Sequence, residues 1–70
     1  MKYAVVYERT PRSFAAYVPD FPGCVATGKT RAEVERRIRM AIKMHLEGLR
    51  REQLPVPEPV AWAELVDVLA

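Results

Sequence analysis

The distribution of apolar residues over the first third of the chain predicts three short strands. Tyr3–Glu8 (YAVVYE), Ser13–Val18 (SFAAYV) and Cys24–Thr27 (CVAT) are rich in β-branched, aromatic or small apolar side chains. The first run is apolar at most positions, which is typical of a strand with neighbours on both faces. Pro11 favours a turn between the first two runs, so we expect them to form a hairpin. The two prolines and the glycine of residues 19–23 predict a loop before the third strand.

One long segment, from Thr30 to about Arg51, has the periodicity of an amphipathic helix. Thr30 and Glu33 fit a capping box, in which the hydroxyl and the carboxylate each accept a backbone N–H at the helix start. Seven residues recur on one face and are expected to pack on the sheet: Val34, Ile38, Ala41, Ile42, His45, Leu46 and Leu49. Four basic residues fall on the opposite, outward face: Arg36, Arg39, Lys43 and Arg50.

Prolines at alternate positions separate this helix from the last part of the chain. Leu54–Pro59 (LPVPEP) predicts an extended, polyproline-like course that cannot join the centre of a sheet. Beyond it the pattern is ambiguous: Ala61–Leu65 could form a helical turn, whereas Leu65–Leu69 favours a final strand. The strand is the preferred interpretation. It gives the order βββαβ and an α+β fold of two layers, with one helix packed on a four-stranded sheet.

Seventy residues are enough for one domain, residues 1–70, with a small core. Such a core supplies only about 3–5 kcal/mol, so small domains usually need a staple or a partner. One cysteine and one histidine are too few for an intramolecular disulfide or a zinc site. The sheet face opposite the helix is also left uncovered by a single chain. We therefore expect a homo-oligomer, either a dimer or a tetramer, and no cofactor.

Composition narrows the classes of protein further. The chain is 50% hydrophobic and 29% charged, which is a globular balance. No apolar stretch approaches the roughly 20 residues of a membrane span. No signal peptide precedes the first predicted strand, and the free thiol is typical of a reducing compartment, so we expect a cytoplasmic protein without membrane contact.

The net charge of +2 conceals two segments of opposite charge. Residues 31–51 hold seven basic and three acidic residues, whereas residues 52–70 hold four acidic residues and no lysine or arginine. The basic helix face could bind the phosphates of a nucleic acid, which is the alternative function we retain. Against it, no aromatic side chains alternate with the arginines to stack on bases, and one helix cannot form a helix-turn-helix. A solvated helix face is the simpler interpretation.

Side chains capable of catalysis occur singly in this sequence. Cys24 has no evident base beside it, and a buried structural cysteine is the preferred interpretation. His45 falls on the apolar helix face, where packing or contact with a partner is expected. Asp20 would need a second carboxylate or a metal to act as an acid or base, so an Asx turn is favoured. We predict no catalytic residue, no metal ligand and no enzyme.

Three aromatic residues have ordinary explanations as core side chains: Tyr17, Phe21 and Trp62. Of these, Phe21 lies in the proline-rich loop and could instead be exposed enough to anchor a partner protein.

The loop and the helix start also carry a recognisable pattern. Tyr17–Cys24 reads YVPDFPGC and residues 26–30 read ATGKT. With the proline-rich LPVPEP segment, this resembles the HicB family of antitoxins, whose pattern is Pro-Asp-Leu-Pro-Gly-Cys, a short strand, Gly-Asp-Thr and a helix. The resemblance extends from about Tyr3 to Pro59. The residues that match the motif are Pro19, Asp20, Pro22, Gly23, Gly28, Thr30 and Glu33.

The resemblance implies a partial ribonuclease-H-like fold and a function exerted by binding alone. HicB-like proteins neutralise HicA-like toxins, small mRNA-cleaving proteins, in type II toxin–antitoxin systems. Neutralising a basic RNA-binding toxin favours an acidic surface, so Glu58, Glu64 and Asp67 are candidate partner-binding residues. Phe21 joins them as the apolar candidate from the loop. No cluster of acids suited to two magnesium ions is evident, so we expect no latent nuclease activity.

The sequence departs from the family pattern in two respects. Lys29 stands where the family has the aspartate of Gly-Asp-Thr, which removes a negative charge near the helix start. Many family members also carry a C-terminal DNA-binding domain, whereas this chain ends at Ala70. On this basis DNA binding by the chain is doubtful.

Overall fold

The computed structural model describes residues 1–69 and contains three strands followed by one helix. The strands are β1 (Val6–Arg9), β2 (Phe14–Tyr17) and β3 (Val25–Gly28), and the helix is α1 (Arg31–Arg51). All three strands and the helix were predicted, with strand ends displaced by up to three residues. The α+β class is therefore confirmed. Within residues 1–69, no helix is both long and apolar enough to cross a membrane.

The strands form an antiparallel sheet in the order β1-β2-β3, and the predicted hairpin of the first two strands is confirmed. Tyr17 at the end of β2 lies opposite Val6 on one side and Val25 on the other. These three side chains share the face away from α1, since residues paired across a ladder point to the same side. The helix packs on β2 and β3 but not on β1. The face of β1 on the helix side is therefore uncovered, and its outer edge is unpaired.

The core lies between α1 and the two strands it covers. Six hydrophobic residues are buried: Ala16, Val18, Phe21, Cys24, Val34 and Ile38. Around them pack seven partly buried residues: Tyr3, Val5, Phe14, Ala26, Ala41, Ile42 and Leu46. The predicted apolar face of the helix is confirmed, because its members are buried or half-buried.

The start of α1 is capped much as the sequence predicted. The Thr30 hydroxyl accepts the Glu33 backbone N–H at 3.1 Å. The Glu33 carboxylate accepts the backbone N–H of Lys29, one residue before the cap, at 3.2 Å, and pairs with Arg37 at 3.0 Å. Because Lys29 contributes only its backbone to this network, the aspartate of the family pattern is not needed for it.

The fourth strand predicted at Leu65–Leu69 is absent from the single chain as far as the structure describes it. The segment forms no regular element and pairs with none of the three strands, and both leucines are fully exposed. The preceding prolines keep the chain extended. As a result, it leaves the body of the domain after Ala61 without turning back onto the sheet.

Two of the three aromatic residues assigned to the core are exposed instead. Trp62 is 84% exposed because the tail in which it lies leaves the domain. Tyr17 is 40% exposed because it points to the sheet face that α1 does not cover.

Candidate interaction surfaces

The motif loop between β2 and β3 is a compact turn held by its own backbone. Val18 donates its N–H to the Cys24 carbonyl at 3.1 Å, and Cys24 donates its N–H to the Phe21 carbonyl at 3.0 Å. Gly23 has a φ of +83°, in the left-handed region that costs glycine little and other residues more. The motif residues Pro19, Pro22 and Gly23 thus shape the loop.

Phe21 is the largest of the three loop side chains that enter the core, the others being Val18 and Cys24. It is 1% exposed, so its prediction as an exposed partner anchor is wrong. Its ring centroid lies 4.4 Å from that of Tyr3 and 5.0 Å from that of His45. The backbone bonds of the turn hold Phe21 between Val18 and Cys24, and all three side chains are buried in the core. The expectation that His45 is a packed histidine is confirmed by the same contact.

The other motif residues bring the helix close to the sheet. A Cβ atom on Gly28 would lie 2.9 Å from the Val34 backbone nitrogen and 3.2 Å from the Glu33 side chain. Only glycine lets the end of β3 and the first turn of α1 approach this closely. Gly28, Thr30 and Glu33 therefore set the position of the helix and touch no candidate site.

Asp20 does not form the predicted Asx turn. Its Oδ2 atom accepts a long hydrogen bond, 3.5 Å, from the backbone N–H of Ala61. A second bond lies nearby, from the Tyr3 hydroxyl to the Pro57 carbonyl at 2.7 Å. Together these bonds attach the proline-rich segment to the motif loop and to the chain just before β1. The sequence gives no sign of these two bonds, because Asp20 and Ala61 lie 41 residues apart along the chain and Tyr3 and Pro57 lie 54 residues apart.

The remaining reactive group considered from the sequence is the thiol of Cys24. Cys24 is buried, as predicted, and burial raises the pKa of its thiol, which opposes formation of the nucleophilic thiolate. Among residues 1–69, no three His, Cys, Asp or Glu side chains are close enough to hold a metal ion.

The acidic residues predicted to meet a partner are all in solvent. Glu58 lies in the proline-rich segment, and Glu64 and Asp67 lie in the tail beyond it, and all three are exposed. Large apolar residues in the same tail are also exposed: Trp62, Leu65, Val66, Val68 and Leu69. A monomeric protein seldom presents so many neighbouring apolar side chains to water.

The basic face of α1 is exposed too, and it contains an apolar element that sequence analysis missed. Arg36, Arg39 and Lys43 border a shallow depression whose floor includes Met40 and Met44, exposed by 60% and 64%. The fourth predicted cation, Arg50, is exposed near the helix end and does not line this depression. Two methionines four residues apart share a helix face, which is the signal that could have revealed them.

The described residues thus form a small α+β domain that exposes acidic, basic and apolar surfaces. The chain matches, over residues 3–69, the family described as HicB-like antitoxin of bacterial toxin–antitoxin systems. It belongs to that family. An antitoxin acts by engaging a toxin, so membership implies a toxin partner and favours a protein that is not a catalyst.

Three curated relatives are 33–37% identical to the chain over the aligned residues. The chain is 34% identical over 62 residues to an uncharacterized 14.9 kDa protein of Haemophilus phage HP1, covering 86% of this chain and 47% of the relative. It therefore spans about half the length of that phage protein. It is 33% identical over 58 residues to a UPF0150 protein of Thermoplasma acidophilum, covering 81% and 84% of the two chains. A UPF0150 protein of Helicobacter pylori is 37% identical over 49 residues, covering 70% and 68%. No solved structure is significantly similar to the chain.

Proposed function

We propose that this chain is a non-catalytic antitoxin that binds and neutralises a small HicA-type, mRNA-cleaving toxin of a type II toxin–antitoxin system. The observation that carries the proposal is family membership across residues 3–69, nearly the whole domain. Because such a toxin acts on mRNA, the proposal places the chain in the cytoplasm.

Electrostatics supports a contact through the acidic segment. Glu58, Glu64 and Asp67 are exposed, and residues 52–70 contain no lysine or arginine that would offset their charge. A toxin that binds RNA phosphates needs a basic surface, and opposed charges steer two proteins together and fix their orientation. The bonds of Asp20 and Tyr3 hold the start of this segment on the domain, which lowers the entropy lost when it binds.

Steric coverage would then inhibit the toxin. A protein seated on the surface that receives RNA excludes the substrate without any chemistry of its own, so the chain needs neither a nucleophile nor a metal. The buried, protonated Cys24 and the packed His45 are consistent with that requirement. The partial ribonuclease-H-like outline that the resemblance implies belongs to the same proposal, and so does the single domain over residues 1–70.

Nucleic-acid binding is the second candidate function, favoured by the exposed basic face of α1. Arg36, Arg39 and Lys43 form no salt bridge with any carboxylate of residues 1–69, so their charges are free to meet phosphates. The floor of that surface is Met40 and Met44 rather than aromatic rings, which weakens the case for base stacking.

A binding experiment with two charge variants separates the candidates. Calorimetric titration of a purified HicA-like toxin with this chain should show tight binding. The triple variant E58Q/E64Q/D67N should lose affinity by roughly three- to hundredfold, because each of three exposed ion pairs contributes about 0.2–1 kcal/mol. The matched variant R36Q/R39Q/K43Q removes three charges of the opposite sign and should retain toxin affinity.

The reverse pattern would contradict the proposal. If the acidic variant binds the toxin as tightly as the unmodified chain and the basic variant loses binding to RNA, the helix face is the functional surface. A chain that binds no HicA-like toxin at all would also refute the antitoxin function.

A further inference from the structure

We propose that the tail, residues 62–69, docks as an added strand on the free edge of β1 in a second copy of the chain, so that two copies exchange tails. This inference concerns self-association and goes beyond the proposed binding of a toxin. It begins with the tail itself. Leu65 and Leu69 are fully exposed, and Trp62, Val66 and Val68 are 69–84% exposed.

The tail has the length and pattern of a strand without a partner. As a strand, the tail would direct apolar residues to both of its sides: Leu65 and Leu69 to one, Val66 and Val68 to the other. A strand exposed to water on both faces is usually polar on both of them. Apolar residues on both faces are typical of a strand that is covered on both sides. Eight residues in extended form span about 27 Å, longer than any strand of this sheet.

The receiving edge is that of β1. Val6–Arg9 pairs with β2 on one side only, and its other row of backbone N–H and C=O groups has no strand beside it among the described residues. Because α1 covers β2 and β3, the flank of β1 that faces the helix layer is also bare, and Tyr7 is 44% exposed there. A shallow pocket bordered by Tyr7, Phe14 and Arg31 marks the vacant space. The outer edge of β3 is unpaired too, but α1 already covers the helix-side face of that strand, so a strand added there would find less bare apolar surface beside it than at β1.

The course of the chain favours the β1 edge of another copy over its own. The hydrogen bonds of Pro57 and Ala61 fix the point at which the tail leaves, and the three alternating prolines keep the segment before it stiff. The tail then projects away. The radius of gyration is 13.8 Å, whereas a compact chain of this length has about 11 Å. The longest dimension, 48 Å, exceeds the roughly 32 Å of the 21-residue helix.

Charge complements this docking. Lys2, Arg9 and Arg12 outnumber the single acid Glu8 along β1 and its flanks, while the tail carries Glu64 and Asp67 without a basic residue. In a two-fold symmetric dimer, each copy gives one tail and receives one, so the β1 edges of both copies are paired. The exchange is closed, and it leaves no tail free to add a third copy. It also enlarges the core of a domain that is otherwise short of buried surface.

Filtered NMR tests the contact directly on the full chain, without a toxin. Mixing isotope-labelled and unlabelled copies at submillimolar concentration should give intermolecular NOEs between the Leu65 and Leu69 methyl groups and the Tyr7 ring. Light scattering of the same sample should give the mass of a dimer. NOEs that are exclusively intramolecular, or the mass of a monomer, would overturn the proposal.

Two variants at one tail position separate docking from a general loss of structure. Val66→Pro removes a backbone N–H that a strand needs, while its φ remains compatible with the extended tail, and should weaken dimerisation roughly tenfold or more. Val66→Thr keeps the N–H and the shape and should weaken it much less. Far-UV circular dichroism should match for both at a concentration where each is monomeric. A dimer equally stable in both variants would contradict tail docking.

Discussion

Replacing Phe21 by leucine tests whether the motif loop is a structural plug or a partner anchor. The ring is 1% exposed and contacts two other rings, with centroids at 4.4 Å for Tyr3 and 5.0 Å for His45. Aromatic pairs of this kind contribute about 0.5–1.5 kcal/mol each beyond the apolar area they bury. Leucine preserves most of that area, so the expected loss is about 1–3 kcal/mol of the free energy of unfolding. A core of this size supplies only about 3–5 kcal/mol, so the variant should fold but be marginal.

Urea unfolding followed by far-UV circular dichroism measures this loss. Tryptophan fluorescence is unsuitable as the probe, because Trp62 is exposed in the tail. With a slope near 1 kcal/mol per molar urea, the midpoint should fall by about 1–3 M. The matched control is Trp62→Leu, an aromatic-to-leucine change outside the core, which at a concentration where the chain is monomeric should shift the midpoint by less than about 0.5 M. An unchanged midpoint in Phe21→Leu would refute the assignment of this side chain to the core.

Three further predictions concern the helix and the buried thiol. Gly28→Ala should lower the thermal midpoint and cost about 1–3 kcal/mol of the free energy of unfolding, because its Cβ would lie 2.9 Å from the Val34 nitrogen. Gly48→Ala, in open space within α1, should raise the midpoint and add up to about 1 kcal/mol, so equal effects of the two changes would contradict this assignment. Thr30→Ala should cost about 1 kcal/mol in the same assay, since the Glu33 N–H loses its acceptor, whereas Thr30→Ser should be nearly neutral. Cys24 should react slowly with a thiol reagent at pH 8, because burial raises its pKa and leaves less thiolate, and quickly once the chain is unfolded; fast reaction in the native state would show that the thiol is accessible.

The parts of the fold that local pattern governs were predictable. Periodicity located α1, and a capping pair located its N-cap at Thr30. Runs of β-branched and aromatic residues located the strands. Each of these signals acts over a few residues, so the sequence carries it openly.

The parts that depend on distant contacts were not predictable. Whether Phe21 points inward depends on Tyr3 and His45, which lie 18 and 24 residues away along the chain. Whether Leu65–Leu69 pairs with a strand depends on where the preceding segment is fastened, and that is decided by the bonds to Pro57 and Ala61. The pattern of the tail predicted a strand that the single chain does not form among the described residues, since an alternating pattern does not name the edge that a strand will join.

The exposed surfaces, too, were predictable only where local pattern governs them. The outward basic face of α1 was predictable from 100° per residue, as was the exposure of the acidic segment from its charge. The motif residues proved to shape the loop and to position the helix, so a recognisable motif here marks the scaffold rather than a contact surface. Sequence analysis also missed the two exposed methionines between the arginines, because it assigned that face by charge alone.

Inhibition of a HicA-like toxin's RNA cleavage by the purified chain is the most direct test of the antitoxin function. The toxin is incubated with RNA while this chain is added in increasing amounts, and intact RNA is measured. The account predicts that cleavage falls in proportion to the chain added and stops near equimolar ratio, while the chain alone neither cleaves nor protects RNA from an unrelated nuclease. Cleavage that continues at a large molar excess of the chain would contradict the account, and so would protection of RNA against both nucleases alike.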